Sequence, residues 1–235
     1  MIPKKDFNIG VILDMDGVII DSNPYHKIAW TNFLNRKNIV VNDSIFKELI
    51  FGTTSDEAIT KLLNCELSKR ELEIFSNEID SAYRAIIRKS KNIEPLNGLL
   101  PFLKSISDGR CKIALATSAP PENVDLILNR FQILNYFDLI IDKTQVFKSK
   151  PNPEIYLKAV QGLGLSNDNC VVFEDSISGI ISAKDAGLIV IGVTTSHKNN
   201  ELIDAGATIC VKDFFEISLE NIHQLIENTL RDRHS

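Results

Sequence analysis

The chain has few cysteines, and none of them belongs to a paired motif. Four occur in 235 residues, at Cys65, Cys111, Cys170 and Cys210, and no two are separated by only two residues. This spacing excludes the Cys-x-x-Cys zinc and redox motifs. We expect reduced thiols, mostly buried, in a cytoplasmic protein.

Long apolar runs and an excess of basic residues are also missing. No segment approaches the roughly 20 apolar residues of a membrane-spanning helix, and the opening MIPKKDFNIG has no apolar stretch of signal length. The formal net charge is -5, with 26 Lys and Arg against 31 Asp and Glu. An acidic chain does not favour nucleic acid or an anionic membrane as a partner. We expect a soluble protein with neither partner, and a monomer by default.

Six short apolar runs alternate with helical patterns. They cover residues 9–13, 113–116, 139–141, 171–173, 189–193 and 208–211. Alternation of this kind predicts an α/β fold with a parallel sheet flanked by helices.

One connection is too long for an ordinary crossover. About a hundred residues separate the first two apolar runs, and most of them have a helical pattern. Within this stretch, Ser68 and Glu71 have the spacing of a capping box ahead of an apolar stripe. We interpret residues 22–94 as an inserted helical cap domain, and residues 1–21 and 95–235 as the core domain.

Two carboxylates, Asp14 and Asp16, follow the first apolar run directly. Gly17 allows a sharp turn after them. Crowded carboxylates are costly unless a cation lies among them, and Mg²⁺ prefers oxygen ligands. The pattern indicates a phosphoryl-transfer site, although an isolated Asp-x-Asp is also common in solvated loops.

Three further segments follow in order. KIALATSA ends in Thr117 and Ser118, whose hydroxyls can bond phosphate oxygens, and KSKPNPEIY places Lys150 on a proline-stiffened loop. VVFEDSISGI ends an apolar run in Glu174 and Asp175. A lone lysine or a lone acidic pair is usually a solvated surface group. Three such segments at successive strand ends, in this order after Asp14 and Asp16, favour a shared site.

In this order the four segments resemble the haloacid dehalogenase-like (HAD) hydrolases, in particular the β-phosphoglucomutase and phosphatase subgroup. The resemblance spans residues 9 to about 213. It implies a doubly wound, Rossmann-like parallel-sheet core with an inserted α-helical cap of the C1 type.

The resemblance also implies roles for the acidic residues. Asp14 would be the nucleophile that forms an aspartyl-phosphate, and Asp16 the general acid and base. Mg²⁺ would be held by the Asp14 carboxylate, the Asp16 backbone carbonyl and the Asp175 carboxylate, with Glu174 contributing through a water. Lys150 and the Thr117 and Ser118 hydroxyls would bind the phosphate oxygens.

Cap residues are expected to choose the substrate. His26 and Trp30 in NPYHKIAW match the β-phosphoglucomutase subgroup, as does Gly52 in FGTTSDEA, the glycine of its specificity loop. His26 and Gly52 are therefore predicted substrate-binding residues. For Trp30, packing within the cap is as good an interpretation as substrate contact.

The sequence departs from that subgroup at the grip on a second phosphate. Ser55 replaces an arginine, and residues 119–121, Ala-Pro-Pro, replace a Ser-Lys-Asn run. Neither replacement carries the charge that such a grip requires. We therefore predict a Mg²⁺-dependent phosphatase, with a phosphosugar mutase as the alternative; Lys148 or Lys61 would be substitute cations.

Two other classes share the fold. A true dehalogenase needs no metal and has no use for a second carboxylate as acid, so Asp16, Glu174 and Asp175 argue against it. A non-catalytic binding protein usually loses the nucleophile or the lysine, and both Asp14 and Lys150 are present. The predicted substrate is a small phosphorylated metabolite whose identity the sequence does not specify.

Overall fold

The strands form one parallel sheet at the centre of the core. A computed structural model of the protein describes residues 8–51, 53–64, 66–107 and 111–234. Within them the sheet has six strands in the order β3-β2-β1-β4-β5-β6. The strands are β1 Ile9–Leu13, β2 Cys111–Ala116, β3 Leu139–Ile141, β4 Cys170–Glu174, β5 Ile189–Val193 and β6 Ile209–Val211. The chain winds outward from β1 in both directions, so the predicted doubly wound α/β fold is confirmed.

Ten α-helices accompany the strands in the described part of the chain. They are α1 Asn23–Arg36, α2 Asp43–Ile45, α3 Ser55–Leu63, α4 Lys69–Lys89, α5 Leu99–Ile106, α6 Pro121–Phe131, α7 Glu154–Leu163, α8 Ile177–Asp185, α9 Asn199–Ala205 and α10 Leu219–His234. A π-helical turn, Phe46–Ile50, continues α2. None of these helices is long and apolar enough to cross a bilayer.

Both faces of the sheet are covered, because alternate residues of each strand point to opposite sides. Val11 and Leu13 pack with α5, α6 and α10 on one face. Ile12 packs with α7, α8 and α9 on the other. Every residue of β1 is buried, which explains why its sequence is an uninterrupted apolar run rather than an alternating one.

The helices inserted after β1 have an apolar cluster of their own. Its buried members include Trp30, Phe33, Phe46, Ile59 and Ile79, contributed by α1, the π-helical turn, α3 and α4. This separate cluster supports a cap domain at residues 22–94, a boundary that we retain as a proposal.

The long helix α4 begins where the sequence predicts. The Ser68 hydroxyl accepts a hydrogen bond from the Glu71 amide at 3.3 Å, and the Glu71 carboxylate accepts one from the Ser68 amide at 2.9 Å. The two bonds confirm the capping box. They satisfy amides that the first turn of a helix otherwise leaves unpaired.

Replacing this cap is expected to weaken the fold. Ser68→Ala should lower the free energy of unfolding by about 1 kcal/mol, because it removes the acceptor of the Glu71 amide. Asn77→Ala, at an exposed position of the same helix, is the control and should leave stability unchanged or slightly higher. Urea denaturation measures both. Equal effects of the two substitutions would contradict the capping role.

Candidate active site

The predicted residues meet at the carboxyl ends of three neighbouring strands. Leu13 of β1 is in register with Leu115 of β2 on one side and with Phe173 of β4 on the other. The residues that follow, Asp14 and Glu174, therefore emerge side by side at one edge of the sheet. The crevice outside this edge is where ligands bind in open α/β sheets.

Lys150 lies at the centre of the site and contacts two carboxylates. Its Nζ donates to Asp14 Oδ1 at 2.9 Å and to Glu174 Oε1 at 2.6 Å. The side chain is only 2% exposed. Although burial favours the neutral amine, the two carboxylates raise the pKa of Lys150 well above its ordinary value. The lysine is therefore a fixed positive charge beside the Asp14 carboxylate.

Glu174 is held from several directions. Its oxygens accept five hydrogen bonds: from Lys150 and Tyr156 to Oε1, and from the Asp175 amide and the Ser176 amide and hydroxyl to Oε2. Burial opposes ionisation, but Lys150 lowers the pKa of Glu174. A Cβ at Gly179 would lie 1.8 Å from Oε1, so helix α8 approaches this closely only because residue 179 is glycine.

Three buried carboxylates could hold a metal ion. One oxygen each of Asp14, Glu174 and Asp175 lies within 4.8 Å of the others. Burial raises the pKa of Asp14 to about 7 and that of Asp175 well above its ordinary range. When ionised, these three carboxylates provide clustered oxygen ligands, the type that a hard divalent cation such as Mg²⁺ prefers. The predicted coordination by Asp14, Asp16, Asp175 and Glu174 stays a prediction.

The turn after β1 brings Asp175 close to the nucleophile candidate. Gly17 has a φ of +77°, and a Cβ there would lie 1.7 Å from Asp175 Oδ2. Any side chain at this position would therefore both strain the backbone and displace the carboxylate. Asp175 also accepts a hydrogen bond from Ser196.

Asp16 is paired with a cap residue. His26 Nε2 lies 3.1 Å from Asp16 Oδ1, and the imidazole stacks on the Tyr83 ring with centroids 4.0 Å apart. Burial disfavours the carboxylate form, but His26 lowers the pKa of Asp16. The predicted cleft residue His26 thus lies at the site and contacts the second aspartate, a contact that the sequence did not indicate.

Thr117 and Ser118 line the same cleft as Asp14, Asp16 and Lys150. The Thr117 hydroxyl accepts a hydrogen bond from the Ala119 amide at 3.1 Å, which leaves its proton to donate into the cleft. Gly52, the remaining predicted substrate contact, lies outside the described residues.

The positive charges that line the cleft differ from those that the sequence predicted. Trp30 lines the cleft and also packs edge-on against Phe33, so its packing within the cap is confirmed and its contact with substrate stays a prediction. Neither Lys148 nor Lys61, the predicted substitute cations, is among the described residues that line this cleft. Lys143 does line it. Lys143 was missed because it is not in a recognised motif, although it follows the end of β3 by two residues.

The chain is similar to a known protein family and to individual enzymes. The model of a family described as haloacid dehalogenase-like hydrolase matches residues 11–193. The β-phosphoglucomutase of Bacillus subtilis is 29% identical over 91% of this chain and 93% of its own length. The phosphorylated carbohydrates phosphatase of Thermotoga maritima is 32% identical over 86% of this chain and 93% of its own length.

A solved structure shows the same fold. The HAD hydrolase of family IA, variant 3, from Entamoeba histolytica superposes with a TM-score of 0.84 at 32% identity, over 93% of this chain and 99% of that one. Such coverage necessarily includes most of the inserted helices. The likeness therefore extends beyond the sheet to the region that lines the cleft.

The hydroxyl of Tyr156 is expected to stabilise the buried Glu174. It donates to Glu174 Oε1 at 2.9 Å, and Tyr156 is fully buried. Tyr156→Phe should lower the free energy of unfolding by about 2 kcal/mol, the usual range for a hydrogen bond to a charged group. Tyr136→Phe, at a partly buried tyrosine that is not among the described residues lining the cleft, is the matched control and should change stability little. Thermal denaturation compares them, and equal shifts would contradict the proposed contact.

Proposed function

Because the chain belongs to the haloacid dehalogenase-like hydrolase family, we propose that it is a Mg²⁺-dependent phosphatase that acts through an aspartyl-phosphate on Asp14. Family membership and the names of the relatives support a phosphoric monoester hydrolase, with phosphomutase chemistry as the alternative. The observation that carries the proposal is the buried Asp14 carboxylate, 2.9 Å from Lys150 and open to the cleft. The names of the relatives support a phosphorylated sugar or a similar small metabolite as substrate.

In the first step an Asp14 oxygen attacks phosphorus and the bond to the leaving oxygen breaks. Lys150 and the Thr117 hydroxyl bind the phosphoryl oxygens, where charge is spread in the transition state. Both groups are held in place before substrate arrives, Lys150 by Glu174 and Thr117 by the Ala119 amide. Their contribution is therefore electrostatic and needs little reorganisation.

A bound Mg²⁺ would offset the repulsion between an anionic nucleophile and an anionic phosphate. Asp14 and Asp175 are the residues with carboxylate oxygens best placed to hold it. Glu174 belongs to the same cluster, but its oxygens already accept five hydrogen bonds. Its contribution is therefore the orientation of Lys150, together with negative charge near the ion.

Asp16 supplies the proton transfers. In the free protein His26 lowers the pKa of Asp16, which favours the carboxylate. A phosphate dianion entering the cleft adds negative charge beside Asp16 and so favours its protonation, as the acid role requires. After the leaving group departs, the restored carboxylate accepts a proton from the attacking water. Water attack on phosphorus then breaks the bond to Asp14.

Water is favoured over a sugar hydroxyl as the final acceptor. A mutase must hold a bisphosphate by its second phosphate while the sugar turns, and Ser55 provides no charge for this. Besides Lys150, the cleft is lined by Lys143, whose charge is opposed by the Asp80 carboxylate, with 3.9 Å between Nζ and Oδ2. The mutase alternative therefore has less support from the described residues.

The nucleophile and the acid are separable by substitution. Asp14→Asn should abolish Mg²⁺-dependent phosphate release from p-nitrophenyl phosphate and abolish binding of beryllium trifluoride. Asp16→Asn should retain beryllium trifluoride binding but lower turnover about 10²- to 10⁴-fold. Asp204→Asn, at an exposed position on α9, is the control and should match the native rate. Substantial turnover by the Asp14 variant would overturn the mechanism.

Metal binding should depend on pH in a defined direction. Burial raises the pKa of Asp14 to about 7 in the metal-free protein, so its carboxyl is protonated below that pH and must lose a proton when Mg²⁺ binds. The apparent Mg²⁺ affinity should therefore be at least about tenfold weaker at pH 6 than at pH 8, because the raised pKa of Asp175 acts in the same direction. Titration calorimetry in buffers of different ionisation enthalpy measures the released protons. Equal affinity at the two pH values, without proton release, would contradict this expectation, and full activity in excess chelator would contradict the metal requirement.

A further inference from the structure

An ion pair joins the cap and the core across the cleft. Asp80, on α4 of the cap, is 6% exposed, and its Oδ2 lies 3.9 Å from Nζ of Lys143 in the core. The other Asp80 oxygen, Oδ1, accepts a hydrogen bond from the Ser55 hydroxyl at 3.0 Å. Asp80, Ser55 and Lys143 all line the cleft that contains Asp14. The catalytic steps described above use none of the three.

Lys143 lies where a grip on a second anionic group would be expected. Its backbone amide donates to the Ala119 carbonyl at 3.2 Å, which fixes it beside the Ala119 and Pro120 segment. That segment carries no charge of its own. By itself, an ammonium group at this position would attract a second phosphate on the substrate.

Asp80 opposes that attraction. It contributes one negative charge at the same end of the cleft, and the surrounding protein screens the charge less than water would because the side chain is buried. A second phosphate next to Lys143 would also lie next to Asp80 and be repelled. The Ser55 hydroxyl holds the Asp80 carboxylate in place. Ser55, which stands where the β-phosphoglucomutase subgroup has an arginine, therefore orients a negative charge at this end of the cleft.

The spacing of the pair suits a neutral hydroxyl. At 3.9 Å the two groups form an ion pair without a direct hydrogen bond. An oxygen about 2.8 Å from each atom fits beside the line that joins them, where it can donate to Asp80 and accept from Lys143. A hydroxylated substrate satisfies both groups at once, whereas a phosphate satisfies only the lysine.

We infer that Asp80 and Lys143 form a specificity pair that selects phosphate monoesters with a neutral, hydroxylated leaving group and rejects substrates with a second phosphate. The inference rests on the proposed phosphatase function and names its substrate class. Asp80 acts as the anion filter and Lys143 as the donor to a substrate hydroxyl. The pair joins the cap and the core, because α4 of the cap carries Asp80 and the core carries Lys143.

The test compares two substrates that differ by one phosphate. We expect the native protein with Mg²⁺ to prefer fructose 1-phosphate to fructose 1,6-bisphosphate in kcat/KM for phosphate release. Asp80→Asn keeps a hydrogen-bond acceptor for Ser55 but removes the negative charge. It should raise the ratio of kcat/KM for the bisphosphate to kcat/KM for the monophosphate at least about tenfold, mainly by lowering KM for the bisphosphate. Lys143→Met should change the ratio in the opposite direction and weaken use of the monophosphate.

Two control variants separate local from general charge effects. Glu73→Gln removes the same charge from an exposed position of α4 and should leave the ratio at its native value. Asp80→Glu retains the charge and should keep the ratio below that of Asp80→Asn. The opposite response of Lys143→Met keeps the inference testable if Asp80→Asn does not fold.

The outcomes distinguish the two proposals. If the native protein releases phosphate but the ratio does not change in Asp80→Asn and Lys143→Met, the specificity pair is wrong and the phosphatase function stands. A ratio that rises equally in Glu73→Gln would also overturn the pair. If the native protein releases phosphate from no monoester in the presence of Mg²⁺, the phosphatase proposal fails and the inference fails with it.

Discussion

The burial of three carboxylates around one lysine is the constraint on which the rest of the structure depends. One oxygen each of Asp14, Glu174 and Asp175 lies within 4.8 Å of the others, and Lys150 contacts the first two. All four side chains are nearly excluded from solvent. One ammonium group does not offset three carboxylates, and unpaired buried charge costs several kcal/mol per ion. Such a cluster is a poor way to stabilise a fold. It is a good way to bind a divalent cation and a phosphate. Burial, together with the neighbouring carboxylates, raises the pKa of Asp14 and of Asp175, as is common at functional sites.

The fold maintains the cluster by bringing distant segments to one edge of the sheet. Parallel strands β1 and β4 deliver Asp14 and Glu174 as neighbours, and no rearrangement of side chains alone could do this. Glycine at positions 17 and 179 then allows the backbone to approach the Asp175 and Glu174 carboxylates closely. The cap supplies the residues that the core cannot, His26 beside the second aspartate and Asp80 across the cleft from Lys143.

The sheet and the core of the site are predictable from the sequence because they depend on local patterns. Strands buried on both faces appear as unbroken apolar runs, as in β1, and each of the predicted site residues from Asp14 to Asp175 in the core lies at a strand end or on an adjoining loop. Boundaries shifted slightly: β6 begins at Ile209, one residue later than predicted, and β2 begins at Cys111, two residues earlier. These differences leave the arrangement of the site unchanged.

The long-range pairs were not predictable. His26 and Asp16 were each predicted at the site, but nothing in the sequence indicated their contact. Lys143 and Asp80 lie outside any recognised motif. Lys148 and Lys61 were the predicted substitute cations, but neither is among the described residues that line the cleft. The sequence interpretation also assigned Glu174 to the metal alone, since nothing in VVFEDSISGI shows that both oxygens accept hydrogen bonds. Such contacts depend on how the cap packs on the core, which a single sequence does not specify.

The central claim is that phosphate passes through a covalent aspartyl-phosphate on its way to water. The stereochemical course at phosphorus tests this directly, using a chiral, isotopically labelled phosphorothioate ester hydrolysed in labelled water. Two successive in-line displacements, each with inversion, predict net retention of configuration. Net inversion would mean a single direct attack by water and would contradict the account.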